Sequence, residues 1–325
     1  MLLHSNIYFS TNSATLLVKT NTFSDRLCQL RFIAIFIPLA LLVGCVSSGD
    51  EPADSPDSTV AQEKIISLNG TITELLYSLG YGDRIVGVDV TSTYPAAATD
   101  TLPKLGHVSQ LNVEAILALG PNKIFVTAED ASKEGLQKLR SAGIEVLPIE
   151  VVSTLENSAE MANQLAAHLD IPQQQIQLLE NAMAADRQKL ESVLDRKVAN
   201  AKKTKVLFIY ARGTGRILVA GKSTEAARMI ELAGGENAIT TFDDFEAITP
   251  ESLVAAAPDV ILMFSSGLAS LDGKQGLGQV PGIEQTPAYQ NDNVVAMDGQ
   301  YLLGFGPRAG QAATELAEKL IASNK

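Results

Sequence analysis

Between residues 154 and 203 the chain holds no strand-like run, although on both sides of that stretch short apolar runs alternate with helical segments. Before it come Ile65-Ile-Ser-Leu68, Ile85-Val-Gly-Val88, Ile124-Phe-Val126 and Glu145-Val-Leu-Pro-Ile149, separated by helical patterns over 73–79, 113–119 and 133–142. After it come Val206-Leu-Phe-Ile209, Val260-Ile-Leu-Met-Phe264 and Val294-Val-Ala-Met297, then a C-terminal helix from about residue 309. Strands separated by helices predict parallel sheets with helices on their faces. Inside the strandless stretch, Asp170-Ile-Pro172 marks a stop, after which Ile176, Leu179, Met183, Leu190, Leu194 and Val198 recur at spacings near three, four or seven. That is one apolar stripe on a long helix. Roughly thirty residues at about 1.5 Å each reach about 45 Å, enough to run the length of a domain. The expected fold class is α/β: two parallel-sheet lobes over 64–153 and 204–325, joined by a single long rigid helix within 154–203.

An internal echo supports two lobes. Asn112-Val-Glu114-Ala-Ile-Leu-Ala-Leu-Gly-Pro121 and Thr249-Pro-Glu251-Ser-Leu-Val-Ala-Ala-Ala-Pro258 match in pattern at a constant offset of 137. Each has a capping residue two before a glutamate, a short helix, and a proline seven after the glutamate that ends the helix and launches a strand.

The N-terminus carries an address. Arg26 and Arg31 precede an apolar run that closes on Leu42-Val-Gly-Cys45. The run is too short to span a bilayer comfortably and has the layout of an export signal over 1–44. Its end resembles the bacterial lipobox, which implies cleavage before Cys45, acylation of that thiol, and a chain facing the periplasm or the cell exterior from a lipid anchor. Residues 45–63 are Ser/Asp/Pro-rich and read as a flexible acidic tether.

Composition removes several classes of function. Cys28 falls in the leader and Cys45 is the lipidation candidate, so no disulfide is expected in the folded part. The net charge of −12, with a leader that is itself basic, argues against nucleic acid or anionic lipid as ligand. Of three histidines, His4 is in the leader, leaving His107 and His168, too few for a dedicated zinc or manganese cage. Gly-x-Ser-x-Gly is absent, Asp243-Asp244 reads as a solvated loop, and no catalytic constellation stands out. The stretch Gly215 to Thr224 has five residues between its glycines where a phosphate loop has four, and reads as a strand and a turn into a helix.

Residues 64 to about 322 resemble the periplasmic or lipid-anchored binding proteins that feed haem, corrinoids and iron siderophores to ABC importers. The resemblance rests on Ile66-Ser-Leu-Asn-Gly-Thr-Ile-Thr-Glu74, Ile85-Val-Gly-Val-Asp89-Val-Thr-Ser-Thr-Tyr94-Pro95, Leu105-Gly106 and Asn112-Val-Glu114. In the second half it rests on Glu231-Leu-Ala-Gly-Gly-Glu-Asn-Ala238, Pro281-Gly-Ile-Glu-Gln-Thr-Pro-Ala288 and Asp298-Gly-Gln-Tyr-Leu-Leu-Gly-Phe-Gly-Pro-Arg308. The second-half pattern is similar to the haemin-binding members. The resemblance implies a monomeric solute-binding protein, no catalytic step, haem as the carried ligand, and an ABC permease dimer with its ATPase as partner. An iron-siderophore or corrinoid (vitamin B12) ligand is the alternative, and a metal-dependent enzyme ranks below both.

It also implies three groups of residues. Glu114 and Glu251 occupy the positions where the family presents one glutamate per lobe to the permease. Haem-binding members carry Gly-Tyr-x-Arg where this chain has Gly106-His107-Val108-Ser109, so His107 is the expected axial ligand of the haem iron, with Tyr94 and Tyr210 in reserve. Tyr94, Tyr210, Arg212, Arg216, Tyr301 and Arg308 are expected to line the pocket, an arginine pairing with a carboxylate of the macrocycle. His168 is expected to be a helix-surface residue.

Overall fold

The computed structural model describes residues 63–196 and 202–323. The leader, Cys45, the tether up to residue 62, and Val198 lie outside the described residues. Four strands form the N-terminal sheet: β1 (Ile65–Ser67), β2 (Ile85–Val88), β3 (Lys123–Thr127) and β4 (Glu145–Ile149), in the order β2-β1-β3-β4 and parallel throughout. Apolar residues on consecutive positions supply both faces, because side chains alternate across a strand. Ile65 and Phe125 pack with the helices Gly70–Ser78 and Asn157–Ala166, whereas Ile66, Ile124 and Val126 pack with Val113–Leu119 and Glu134–Ser141.

The C-terminal sheet contains β5 (Lys205–Ala211), β6 (Ile217–Ala220), β7 (Glu236–Asn237), β8 (Phe245–Glu246), β9 (Val260–Phe264) and β10 (Val294–Met297). Its order is β10-β9-β5-β6-β8, with β7 paired to β5. Here the all-parallel expectation needs refinement: β10, β9, β5 and β7 are parallel, but β6 runs antiparallel to β5, and β8 antiparallel to β6. Only residues 212–216 connect β5 to β6, and a parallel crossover takes a dozen or more.

The helix Gln173–Asp195 joins the lobes, and its 23 residues span about 34 Å. Near its start Ile176 is buried in the N-terminal core; near its end Leu190 and Val193 are buried in the C-terminal one. Its described residues close on the cap Arg196, and Val198, the last position of the stripe in the sequence, lies outside the described residues. The first helix starts earlier than expected, at Gly70, because the Asn69 side chain accepts from the amides of Thr71 and Ile72 and so stabilises a turn of poor helix formers.

The echo in the sequence is an echo in space. Helices Val113–Leu119 and Pro250–Ala256, and strands β3 and β9 after them, keep the offset of 137 at both ends. Their strands hold equivalent places, β3 between β1 and β4, β9 between β5 and β10. Each helix has a capping side chain, Asn112 or Thr249, that accepts an amide hydrogen bond (3.0 and 3.2 Å), and each ends on a left-handed residue, Gly120 (φ 60°) or Ala257 (φ 43°).

Candidate functional site

Open α/β sheets present loops at the carboxyl ends of their strands, and there the two lobes meet. On the N-terminal side the loop after β2 is held from within. Buried Asp89 accepts from the hydroxyls of Thr91 and Ser92 (both 2.6 Å), and the Thr73 hydroxyl lies at hydrogen-bond distance from those of Ser92 and Ser67 (both 2.7 Å). Every polar group in this chain is partnered, which fixes the backbone from which Thr93 and Tyr94 project.

Across the seam lies the segment after β10, beginning with the short helix Gly299–Leu303. The Gln300 amide oxygen accepts from the Thr93 amide (2.9 Å) and hydroxyl (2.8 Å), while its nitrogen donates to Gly70 O (2.8 Å) and Glu74 Oε2 (3.0 Å). Thr71 donates to Gly304 O (2.6 Å), and Asn157 Nδ2 to Phe305 O (2.9 Å). Arg308 completes the seam. Its Nε and Nη2 make parallel 2.8 Å bonds to the two oxygens of Glu74, whose side chain is 3% exposed. Its guanidinium lies 3.5 Å from the Tyr94 ring centroid and 5.0 Å from that of Tyr301. Burial pulls the Arg308 pKa downward, but the hydrogen bonds and charge of Glu74 outweigh it and the net shift is upward. Burial, then Glu315, push Tyr301 up to about 12, so it is a neutral phenol.

Two rims flank this seam. The N-terminal rim carries Tyr94, 41% exposed, and the exposed His107. His107 is the N-cap of the short turn Val108–Gln110, with Nδ1 3.0 Å from Ser109 Oγ and 3.4 Å from Ser109 N. The C-terminal rim is the β5–β6 hairpin. Tyr210 is edge-on to Phe245 and Phe264 (6.4 and 6.1 Å), Arg216 lies 6.0 Å from its ring, and Arg212 and Arg216 are exposed. Tyr-x-Arg, missing from the N-terminal loop, occurs in this chain at the exit of β5 as Tyr210-Ala211-Arg212. A Cβ added at Gly299, next to the seam residue Gln300, would meet the Phe264 ring at 3.4 Å, so the aromatic group around Tyr210 lies close to the seam.

The candidates therefore divide. His107, Arg212 and Arg216 are exposed on the rims, Tyr210 is half-buried against its aromatic neighbours, and Arg308 in the seam lies against both Tyr301 and the rim residue Tyr94. Arg308 is committed to Glu74, a residue that sequence reasoning passed over. The signal was present: an acid between Ile72, Leu75 and Leu76 on a helix is buried, and a buried carboxylate needs a partner. Glu114 and Glu251 are exposed in the first turns of the two echoing helices. His168 lies in the turn after Asn157–Ala166, its ring 6.5 Å from Phe125.

Beside the seam is a hollow of about 430 Å³ bordered by Thr91, Gln300 and Phe305. Among the described residues its walls include Glu129, Asp130, Glu150 and Glu225 and no basic side chain. Four carboxylates make it a poor seat for an anionic ligand. Among the described residues there is no cluster of three or more His, Cys, Asp or Glu placed to hold a metal ion, and no helix long and apolar enough to cross a membrane.

A family model described as periplasmic binding protein matches residues 65–301. Among solved structures, the haem-binding protein RhuT from Roseiflexus sp. RS-1 is 36% identical with a TM-score of 0.76, covering 81% of this chain and 100% of its own. The haem-binding protein BhuT, solved with two haems, is 34% identical with a TM-score of 0.74, covering 81% and 99%. Among sequences, the substrate-binding lipoprotein YvrC of Bacillus subtilis is 25% identical over 311 residues, 88% of this chain and 95% of its own. The vitamin B12-binding protein of Vibrio parahaemolyticus is 24% identical over 287 residues, again 88% and 95%.

Proposed function

Because the chain belongs to the periplasmic binding protein family, we propose that it captures haem between its lobes and hands it to an ABC import permease, with no chemical step of its own. The observation that carries this reading is the chemistry of the two rims. One offers the imidazole of His107, a competent ligand for haem iron; the other offers the Tyr210 phenol with Arg212 and Arg216, suited to ligation or stacking and to a propionate. The likeness to RhuT and BhuT, both named as haem-binding, supports it. In this reading the acidic hollow is left to water, and Arg308 with Tyr94 and Tyr301 forms the floor against which the macrocycle rests.

A corrinoid is the second reading, favoured by the name of the Vibrio relative. Two consequences of the first reading hold for both. Glu114 and Glu251, one per lobe and equivalently placed, dock on a two-fold permease with basic partners, and Cys45 carries a lipid that tethers a monomer to a bacterial membrane.

Titration of the purified protein with haemin, followed in the Soret region, tests the ligand. A saturable shifted band that changes character in His107→Ala is the expected result. A saturable band unchanged by the mutation moves the ligand to Tyr210 or Tyr94. Binding of cyanocobalamin with no saturable haemin band replaces haem by a corrinoid.

A further inference from the structure

The His107 ring is folded back on its own turn. Gly106, at φ +91°, leads the chain into Val108–Gln110, and a side chain there would lie 3.0 Å from Gln110 O, so the turn closes tightly only with glycine. The closure brings Nδ1 against Ser109, with the backbone N at 3.4 Å and Oγ at 3.0 Å. Nε2 has no hydrogen-bond partner among the described residues, so it is the nitrogen available to a ligand.

These contacts impose a conflict. The Ser109 amide only donates, so it favours an Nδ1 lone pair and therefore a proton on Nε2. Coordination through Nε2 requires the opposite tautomer, with the proton on Nδ1 facing that amide. A hydroxyl resolves the conflict because it donates to a bare Nδ1 and accepts from a protonated one. Resting on the reading of His107 as the iron ligand, we propose that Ser109 is a positioning residue: its hydroxyl accepts a hydrogen bond from Nδ1–H and so keeps populated the tautomer that presents an Nε2 lone pair to the haem iron. Partners of this kind on the far nitrogen of a ligating histidine set both ring orientation and ligand basicity.

Ser109→Ala and Ser109→Thr separate this role from a structural one. In ligand-free protein, imidazole ¹⁵N spectra should show the mixture of tautomers in the wild type collapse to the Nε2-protonated form in Ser109→Ala and return in Ser109→Thr, with thermal melting unchanged. In haemin titrations Ser109→Ala should bind about tenfold to a hundredfold more weakly, with an altered electron paramagnetic resonance spectrum, and Ser109→Thr should restore both. Identical tautomer populations in wild type and Ser109→Ala overturn the proposal alone, as does a Ser109→Ala complex with wild-type affinity and spectrum while His107→Ala is impaired. A haem complex insensitive to His107→Ala, or no haem binding by the wild type, overturns the proposal together with its premise.

Discussion

The two lobes share a unit and differ in how they enter it. In the N-terminal lobe, β1 reaches β2 through the helix Gly70–Ser78, so the strands are parallel and the cleft edge is made of two loops, one with Tyr94 and one with His107. In the C-terminal lobe, β5 turns straight into antiparallel β6, and the cleft edge is a hairpin carrying Arg212 and Arg216. Beyond that point the lobes converge again, with Val113–Leu119 and β3 repeated as Pro250–Ala256 and β9. Divergence therefore lies at the two rims, and equivalence lies where Glu114 and Glu251 are exposed. An asymmetric ligand calls for different chemistry on its two sides, whereas a two-fold partner calls for the same chemistry twice.

Reversing both glutamates attacks the equivalence with the largest expected effect. Glu114→Arg combined with Glu251→Arg should abolish haem import in cells while the purified protein keeps its haem affinity, and import at the wild-type rate would refute docking through these residues. Next in size is the join between the lobes. Arg308→Ala leaves the Glu74 carboxylate, 3% exposed, without its cation and should cost about 3–5 kcal/mol in denaturant unfolding. Glu74→Ala should cost less, because the Arg308 side chain is 22% exposed and reaches water; equal losses would show that the asymmetry of burial does not matter. The smallest effect concerns the helix ends. A left-handed residue with a side chain is strained by about 1–2 kcal/mol, so Ala257→Gly should stabilise the protein by about 1 kcal/mol. Gly120→Ala should destabilise it by a similar amount, since nothing lies within 4 Å of the added carbon and only the backbone is strained. A null result in both would mean the two echoing units relax at their ends.

Much of this was readable because it is local. The sheets follow from apolar runs such as Ile124-Phe-Val126, and the bridge from one stripe after Pro172. The echo was visible as a constant offset because each copy carries its own cap, helix and proline. The seam was not, because its partners are distant: Glu74 and Arg308 are 234 residues apart and Thr93 and Gln300 are 207 apart. No periodicity records such a pairing. For Arg308 the sequence leaves two roles open, reaching a ligand or ordering its own Gly-Phe-Gly-Pro turn, because a sequence shows that a charge exists but not what already satisfies it. The antiparallel β6 was hidden for another reason, since a strand's direction depends on the length of its connection rather than on its own residues.

The hydrogen bonds of Gln300 and Arg308 have a thermodynamic corollary. They run between protein groups on both sides, so on the proposed reading a ligand at the rims does not need to form them, and its docking should expose or hide little surface elsewhere. The heat capacity change of binding, which tracks apolar area removed from water, should then scale with the faces of the ligand alone. Calorimetry across ligands of graded size would read the dimensions of the guest, with no constant added for movement of the host.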